Sequence, residues 1–318
     1  MSRLRAAVIG VGYLGNFHAQ KYYQHPGVEL VAVVDTDRER AIEVAKRYDA
    51  QPLTDFADVL ERVDLVSIVV PPAYHFDIAQ IVVERGIHAL VEKPVTETTA
   101  QAQSLITSAR DANAVLQVGH LERFNPLVRK LKDAIVSPTL IETQRFSAYQ
   151  KRGTEVDVVI DLMIHDIDIV LNLIASPLKS VQSSGTAVMT NSIDIAHARM
   201  EFENGTVAEL AASRVSQEPA RSMKVYDAGK IISIDYMNHE FHVANIGEDQ
   251  HSRSPDALVF ETQSIPGTDV LNEEIESFIN AIKSGTTPAV TGEDGKRALE
   301  VAIEVSERIP RPNAALAT

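Results

Sequence analysis

Cysteine is absent from the 318 residues, which excludes disulfides, thiolate-ligated zinc and cysteine nucleophiles. Long apolar runs are absent too. None approaches the roughly 18 residues that a membrane-crossing helix requires. Met1-Ser2-Arg3-Leu4-Arg5 leads straight into an apolar stretch with no signal-peptide pattern ahead of it. The expected compartment is the cytoplasm, and no membrane partner is expected. Basic residues are in deficit: 30 Lys and Arg stand against 44 Asp and Glu, a net charge of −14. That balance argues against a nucleic-acid partner, which rewards basic surfaces. It leaves room for an anionic small molecule held by a few local cations. No His-x-x-x-His pair supports a metal site. Low-complexity segments are missing, and the length suits two domains, each with its own core.

What is present begins at once. The apolar run Arg5-Ala6-Ala7-Val8-Ile9 breaks into Gly10-Val11-Gly12-Tyr13-Leu14-Gly15, a helix-compatible stretch follows, and a second apolar run, Val28 to Val34, ends in Asp35. This is the strand, glycine turn, helix, strand and acid of a dinucleotide cradle. Gly10 suits the tight turn, Gly12 lets the backbone approach a pyrophosphate, and Gly15 lets helix and strand pack closely. Tyr13 and Leu14 open the helix, whose N-terminal N–H groups face the phosphates. Asp35 can accept from a free ribose hydroxyl and repels a 2′-phosphate. Thr36 after it is not basic, so NAD is favoured over NADP, although Arg38 and Arg40 are near.

Apolar strands are expected at 5–9, 28–34, 64–70, 88–92 and 115–119, with helices near 13–24, 37–47, 75–85 and 98–112. Almost wholly apolar strands alternating with helices indicate a parallel sheet covered on both faces. The first domain, 1–120, is therefore a doubly wound Rossmann domain. The second, 121–318, is an α+β domain with a mostly antiparallel open sheet. Its strands are expected near 139–148, 179–188, 193–203, 206–215, 222–226, 230–235 and 241–246, with Glu203-Asn204-Gly205-Thr206 as a hairpin turn. One long helix is expected over 155–174, with Thr154 to Asp157 as its capping box. Helices at 269–284 and 293–309 close the chain, can pack back on the first domain, and leave 311–318 loose. Small apolar residues fall on both faces of the 206–215 strand, as in a subunit interface or on a plain solvated sheet. A homodimer or homotetramer through this sheet is the expected assembly.

Ligands in open parallel sheets sit beyond the carboxyl ends of the strands. Glu92-Lys93-Pro94 ends the fourth expected strand there. Lys93 reads either as a positioned ammonium or as a solvated strand-end lysine. Pro71 and His75, after the third strand, are candidate cofactor contacts or parts of a proline-rich loop. His120, Arg123 and Asn125, after the fifth, are candidate substrate contacts, with a solvated helix start as the alternative for Arg123. Lys151 and Arg152 add local positive charge. The 155–174 helix is apolar nearly all round, yet Asp161, His165 and Asp168 recur at i, i+4 and i+7. Buried carboxylates need partners. Asp161 and His165 form a general-base pair, a structural pair, or two ligands of a zinc ion lacking a recognisable third.

Together the Gly10–Gly15 turn, Glu92-Lys93-Pro94, the Asp161-to-His165 segment and Thr291-Gly292-Glu293-Asp294-Gly295 resemble the Gfo/Idh/MocA (glucose–fructose oxidoreductase / inositol dehydrogenase) family along essentially the whole chain. The resemblance implies a nicotinamide-dependent dehydrogenase acting on a sugar hydroxyl, with Lys93, Asp161 and His165 as its catalytic group, Glu92, Lys93 and Pro94 beside the cofactor, and no metal. Met163 stands where many members carry glycine. Asp161 to Asp168, with Gly119-His120-Leu121-Glu122-Arg123-Phe124-Asn125-Pro126, resembles the branch acting on nucleotide-activated amino sugars, the UDP-N-acetylglucosamine 3-dehydrogenases and their uronic-acid relatives. A polyol or inositol dehydrogenase and a non-catalytic dinucleotide sensor are the alternatives within this fold.

Overall fold

The computed structural model describes residues 3–150, 156–246 and 258–310. The chain forms two compact units, residues 1–124 with 269–299, and 125–268 with 300–318.

The first unit is built on a six-stranded parallel sheet. Its strands are β1 (Leu4–Ile9), β2 (Val28–Val34), β3 (Gln51–Leu53), β4 (Leu65–Ile68), β5 (His88–Glu92) and β6 (Leu116–Gly119), in the order β3-β2-β1-β4-β5-β6. This is the doubly wound order, and the reversal between β1 and β4 opens the crevice in which such sheets take ligands. Helices α1 (Tyr13–Gln24), α2 (Arg38–Tyr48), α3 (His75–Glu84) and α4 (Thr99–Asp111) connect the strands. The expected elements are present within a few residues. The exception is β3, a three-residue edge strand with no apolar run to announce it.

Helix α7 (Val270–Ser284) also belongs to this unit. Leu271, Ile275, Phe278 and Ile279 on its apolar face join Ala6, Val8, Val33, Leu65 and Leu90 in one buried cluster. Gly285 ends α7 at φ +62, as its position in the sequence suggested. Helix α8 (Gly292–Arg308) follows.

The second unit carries an eight-stranded sheet of β7 (Leu140–Phe146), β8 (Leu178–Thr186), β9 (Ile195–Phe202), β10 (Val207–Ser213), β11 (Ala220–Asp227), β12 (Lys230–Asp235), β13 (Glu240–Ile246) and β14 (Leu258–Ser264). The order is β14-β13-β12-β11-β7-β10-β9-β8, antiparallel throughout except between β7 and β10. One face is buried through Ile141, Met200, Phe202, Leu210, Val225, Ile232 and Ile234. Strand β14 had no counterpart in the sequence reading. The β9–β10 turn falls where expected, with Gly205 at φ +86 and its N–H donating to the Phe202 carbonyl.

Helices α5 (Pro126–Ala134) and α6 (Ile164–Leu173) complete the unit. The single regular helix expected over 155–174 is corrected. Val159–Met163 forms a π turn, and the α-helix starts at Ile164. The capping role of Asp157 is corrected as well. Its carboxylate accepts from the Ile193 N–H at 3.2 Å and from the Ser306 hydroxyl. Thr154 and the tail 311–318 lie outside the described residues.

Candidate active site

The cradle of the first unit is assembled from main chain. Gly10 sits at φ +84, where a Cβ would come 2.4 Å from the Val69 carbonyl oxygen. At Gly15 a Cβ would meet the Gly10 carbonyl oxygen at 1.9 Å, so the start of α1 lies directly against the turn. Gly12 differs: a Cβ there meets no protein atom within 4 Å. The turn is closed on the protein side and open on the outer side, as a cradle for a pyrophosphate must be.

Asp35, at the end of β2, is buried and rigidly held. It accepts from the Val11 N–H at 3.0 Å and the Asp37 N–H at 2.9 Å, and Arg40 Nη1 lies 3.3 Å from both of its oxygens. Thr36 beside it is exposed, as is Tyr13, whose ring stands edge-on to Phe17. Leu14 is half-buried. The residues present fit a dinucleotide: an open glycine turn, a helix N-terminus and a carboxylate oriented by two N–H groups.

Across the crevice, β4 runs into Pro71 and β5 into Glu92-Lys93-Pro94. Pro71 is exposed, and Lys93-Pro94 is a cis peptide. His75, at the start of α3, braces these two exits. Its ring nitrogens lie 2.7 Å from the Pro94 carbonyl oxygen and 2.8 Å from that of Val70. Burial lowers its pKa, against the raising effect of both carbonyls. The ring of His75 is thus spent on main chain.

Glu92 Oε2 accepts from the Lys93 N–H at 3.3 Å, and Glu92 Oε1 lies 3.3 Å from His18 Nε2. His120 is buried after β6. Arg123 pairs with Asp294 of α8 at 3.4 Å, and that cation, with the Thr291 cap, outweighs burial to hold the Asp294 carboxyl below its usual range.

In the second unit, Asn125 caps α5 by accepting from the Leu127 N–H at 3.0 Å. Asp161 lies inside the π turn and His165 in the first turn of α6, both half-buried, whereas Asp168 is buried outright. A π turn adds a residue to the helical repeat, and such turns recur at functional sites. The i, i+4, i+7 stripe is therefore divided into an accessible pair and a buried acid. Met163 is fully buried.

Next to His165, Asp166 takes two hydrogen bonds from the buried Arg145 of β7, at 3.0 and 2.8 Å. Arg214 donates to the carbonyls of Val156, at 2.5 Å, and Ile193, at 3.0 Å, and so holds the approach to the π turn. Lys151 and Arg152 lie outside the described residues. His18, Arg145 and Arg214 were missed as supporting residues, and Arg40, noted for its nearness to Asp35, proves to pair with it. His18 shares the buried face of α1 with Gly15, Ala19 and Tyr22, a weak signal, and Arg145 and Arg214 had no sequence signature.

The comparisons with known proteins bear on these features. Residues 4–120 match the model of an oxidoreductase family with an NAD-binding Rossmann fold, and residues 138–231 match that of the GFO/IDH/MocA C-terminal domain. The UDP-N-acetylglucosamine 3-dehydrogenase of Acidithiobacillus ferrooxidans is 38% identical over 306 residues, covering 96% of this chain and 97% of that protein. The chain belongs to the GFO/IDH/MocA oxidoreductase family. A solved structure of the same Acidithiobacillus enzyme superposes with a TM-score of 0.91 at 37% identity, over 97% of this chain and 98% of that one. The scyllo-inositol 2-dehydrogenase (NAD(+)) of Bacillus subtilis is 28% identical, over 95% of this chain and 92% of that protein. Membership makes this chain an oxidoreductase acting on CH–OH groups, as the motifs implied. Among the described residues, no helix is long and apolar enough to cross a membrane.

Proposed function

We propose that this chain is an NAD-dependent dehydrogenase that oxidises a secondary hydroxyl of a sugar, at C3 of a UDP-linked N-acetylhexosamine. The observation that carries the reading is the 38% identity to a UDP-N-acetylglucosamine 3-dehydrogenase along nearly the full length of both chains. The Asp35 carboxylate, fixed by two main-chain N–H groups, supports NAD over its 2′-phosphorylated form. Gly10, Gly12, Gly15 and Asp35 would hold the dinucleotide, with Pro71 and Glu92 to Pro94 along the crevice.

NAD, when bound, accepts a hydride. The chain's own residues handle the proton and the charge. His165 removes the hydroxyl proton, with Asp161 orienting the imidazole. The Lys93 ammonium donates to the same oxygen and stabilises the negative charge that develops on it. His120, Arg123, Asn125, Lys151 and Arg152 are the proposed substrate contacts, with Asp294 orienting the Arg123 guanidinium.

NADH formation on a panel of UDP-N-acetylglucosamine, UDP-N-acetylgalactosamine, myo-inositol and scyllo-inositol tests the reading. Turnover of the UDP-sugars, with a 3-keto product by NMR, is expected. Turnover of inositols alone, with indifference to added UDP, would replace the substrate with a polyol. No reduction across the panel would favour a dinucleotide sensor. Lys93→Met should lower kcat by about 100-fold or more while the dissociation constant for NAD stays within about three-fold. Near-normal turnover in that variant rejects the role given to Lys93.

A homo-oligomer formed through the open face of the eight-stranded sheet belongs to the same reading. A cross-strand row of Val207, Leu140, Tyr226, Ile231, Ala244 and Phe260 supports it, six strands wide and apolar apart from one phenol.

A further inference from the structure

A second cluster of ionisable groups lies inside the first unit, behind the Lys93 segment. Glu274 is on α7 and fully buried, beside Leu271, Ile275 and Phe278 on the apolar face of that helix. Neither of its carboxylate oxygens has a hydrogen-bond partner. Donor atoms of Glu274, Glu92 and His18 all lie within 4.8 Å of one another.

Around it, His18 Nε2 and Gln117 Oε1 are likewise buried without a hydrogen-bond partner, while the remaining polar atoms are paired. His18 Nδ1 lies 3.1 Å from the Ser67 hydroxyl, which lies 2.7 Å from the Tyr22 hydroxyl. The Gln117 amide donates to the Glu274 carbonyl at 3.0 Å. Gly119 leaves the space that the Glu92 carboxylate occupies, since a Cβ there would come 2.8 Å from it. Glu92 in turn holds the Lys93 N–H.

Two carboxylates this close in a buried pocket cannot both remain charged without a counter-ion or a proton. A proton on Glu274 settles the arrangement with the atoms at hand. The carboxyl becomes a donor, and its neighbours, Glu92 and the His18 ring, offer acceptors. We propose that Glu274 is a positioning residue: held as a neutral carboxylic acid, it donates to the Glu92–His18 pair and so fixes the Glu92 carboxylate, and through it the main chain at Lys93. The inference rests on the reading of Lys93 given above.

Burial, with the Glu92 charge adding to it, pushes the Glu274 carboxyl well above its usual range, in line with that geometry. The titratable groups around it are His18 and Tyr22 from α1 and Glu92 at the end of β5. Ser67 of β4 and Gln117 of β6 carry no charge.

The test uses full-length protein and the proposed substrate, with Glu274→Gln, Glu274→Leu and Lys93→Met in parallel. Glu274→Gln keeps a neutral donor and should hold kcat within about three-fold of wild type. Glu274→Leu should lower kcat by 10-fold or more, the size typical of lost orienting partners, with NAD affinity within about three-fold. Infrared spectroscopy of the wild type should show the carbonyl stretch of a protonated carboxylic acid at neutral pH, absent from Glu274→Gln. That readout stands even if Glu274→Leu fails to fold.

Absence of the band, a Glu274→Leu enzyme with wild-type turnover, a Glu274→Gln enzyme as impaired as the leucine variant, or a stoichiometric divalent metal lost on Glu274→Gln overturns the inference. Normal turnover by Lys93→Met instead defeats the functional reading. An inactive Lys93→Met beside a fully active Glu274→Leu defeats this inference alone.

Discussion

At the scale of single residues, the proposed preference for NAD rests on a carboxylate that is already committed. Asp35 receives two N–H donors and the Arg40 guanidinium, so its charge is offset yet its position is fixed. Asp35→Ala removes a charge-assisted acceptor, worth about 1.5–3 kcal/mol, and releases Arg40. NAD affinity should fall about 10- to 100-fold while NADP loses less or gains, so the ratio of kcat/KM for the two coenzymes should drop. An unchanged ratio would show that Asp35 does not select. Glu274 yields a prediction of opposite character. Its carboxyl is raised in the folded protein above the ordinary value of 4.5, so folding is penalised as pH climbs past 4.5, where the unfolded chain releases the proton and the folded one keeps it. Glu274→Gln should therefore gain stability over wild type above that pH, by up to ~1.4 kcal/mol per pH unit until the folded carboxyl ionises, and show no such gain at pH 4. Denaturant unfolding at several pH values measures it, and a constant difference would refute the neutral-acid state. Both residues were open to sequence reasoning in different degrees. Asp35 follows from its spacing to the glycines, whereas Glu274 was signalled only as an acid on the apolar face of α7, and its partners came from elements far away in the chain.

At the scale of elements, what sequence showed and what it hid divide along physical lines. The β1–α1–β2 start was readable because glycine positions and apolar runs are local. The π turn at Val159–Met163 was not, because a segment apolar nearly all round has no periodicity to betray an inserted residue. Strand β14, Leu-Val-Phe-Glu-Thr-Gln-Ser, lacks alternation, and β3 is too short to show any. The loop before β9 shows the same limit. Asp194 is fully buried and accepts from the N–H groups of Val188, Met189 and Thr190 at 2.8, 2.7 and 2.9 Å and from the Thr190 hydroxyl at 2.7 Å. Burial raises its pKa, but these donors prevail and hold it below 3.8. The stabilisation is thus full above about pH 4 and is lost as pH falls through the folded value. Asp194→Asn should cost about 1–3 kcal/mol at pH 7, since an amide cannot accept from all four donors, and the deficit should shrink on acidification below pH 4. Urea unfolding at pH 7 and pH 3.5 distinguishes this from a packing defect, which would be independent of pH.

At the scale of the whole molecule, the open face of the eight-stranded sheet poses the question of assembly. A row near one end of its strands crosses six of them, about 24 Å at ordinary strand spacing, from Val207 through Leu140, Tyr226, Ile231 and the buried Ala244 to Phe260, which is 72% exposed. The adjoining row carries Arg199, Glu209, Glu142 and Lys224, with Arg199 and Glu209 paired at 2.8 Å. An apolar strip beside paired charges suits a two-fold interface, where each row meets its own copy, better than a solvated sheet. Charge works against association, because each chain carries −14 and like molecules repel over about 8 Å at physiological salt. Ile231→Glu places a carboxylate in the middle of the strip, where pairing would bury it against its counterpart. Light scattering should then show a monomer mass at protein concentrations where the wild type is oligomeric, with the unfolding midpoint of the isolated chain little changed. Raising salt should strengthen wild-type association by screening the net charge, and should fail to rescue the variant, whose defect is a desolvated charge rather than long-range repulsion. A wild type that is monomeric at micromolar concentration, or a variant with wild-type mass, would remove this face as the interface.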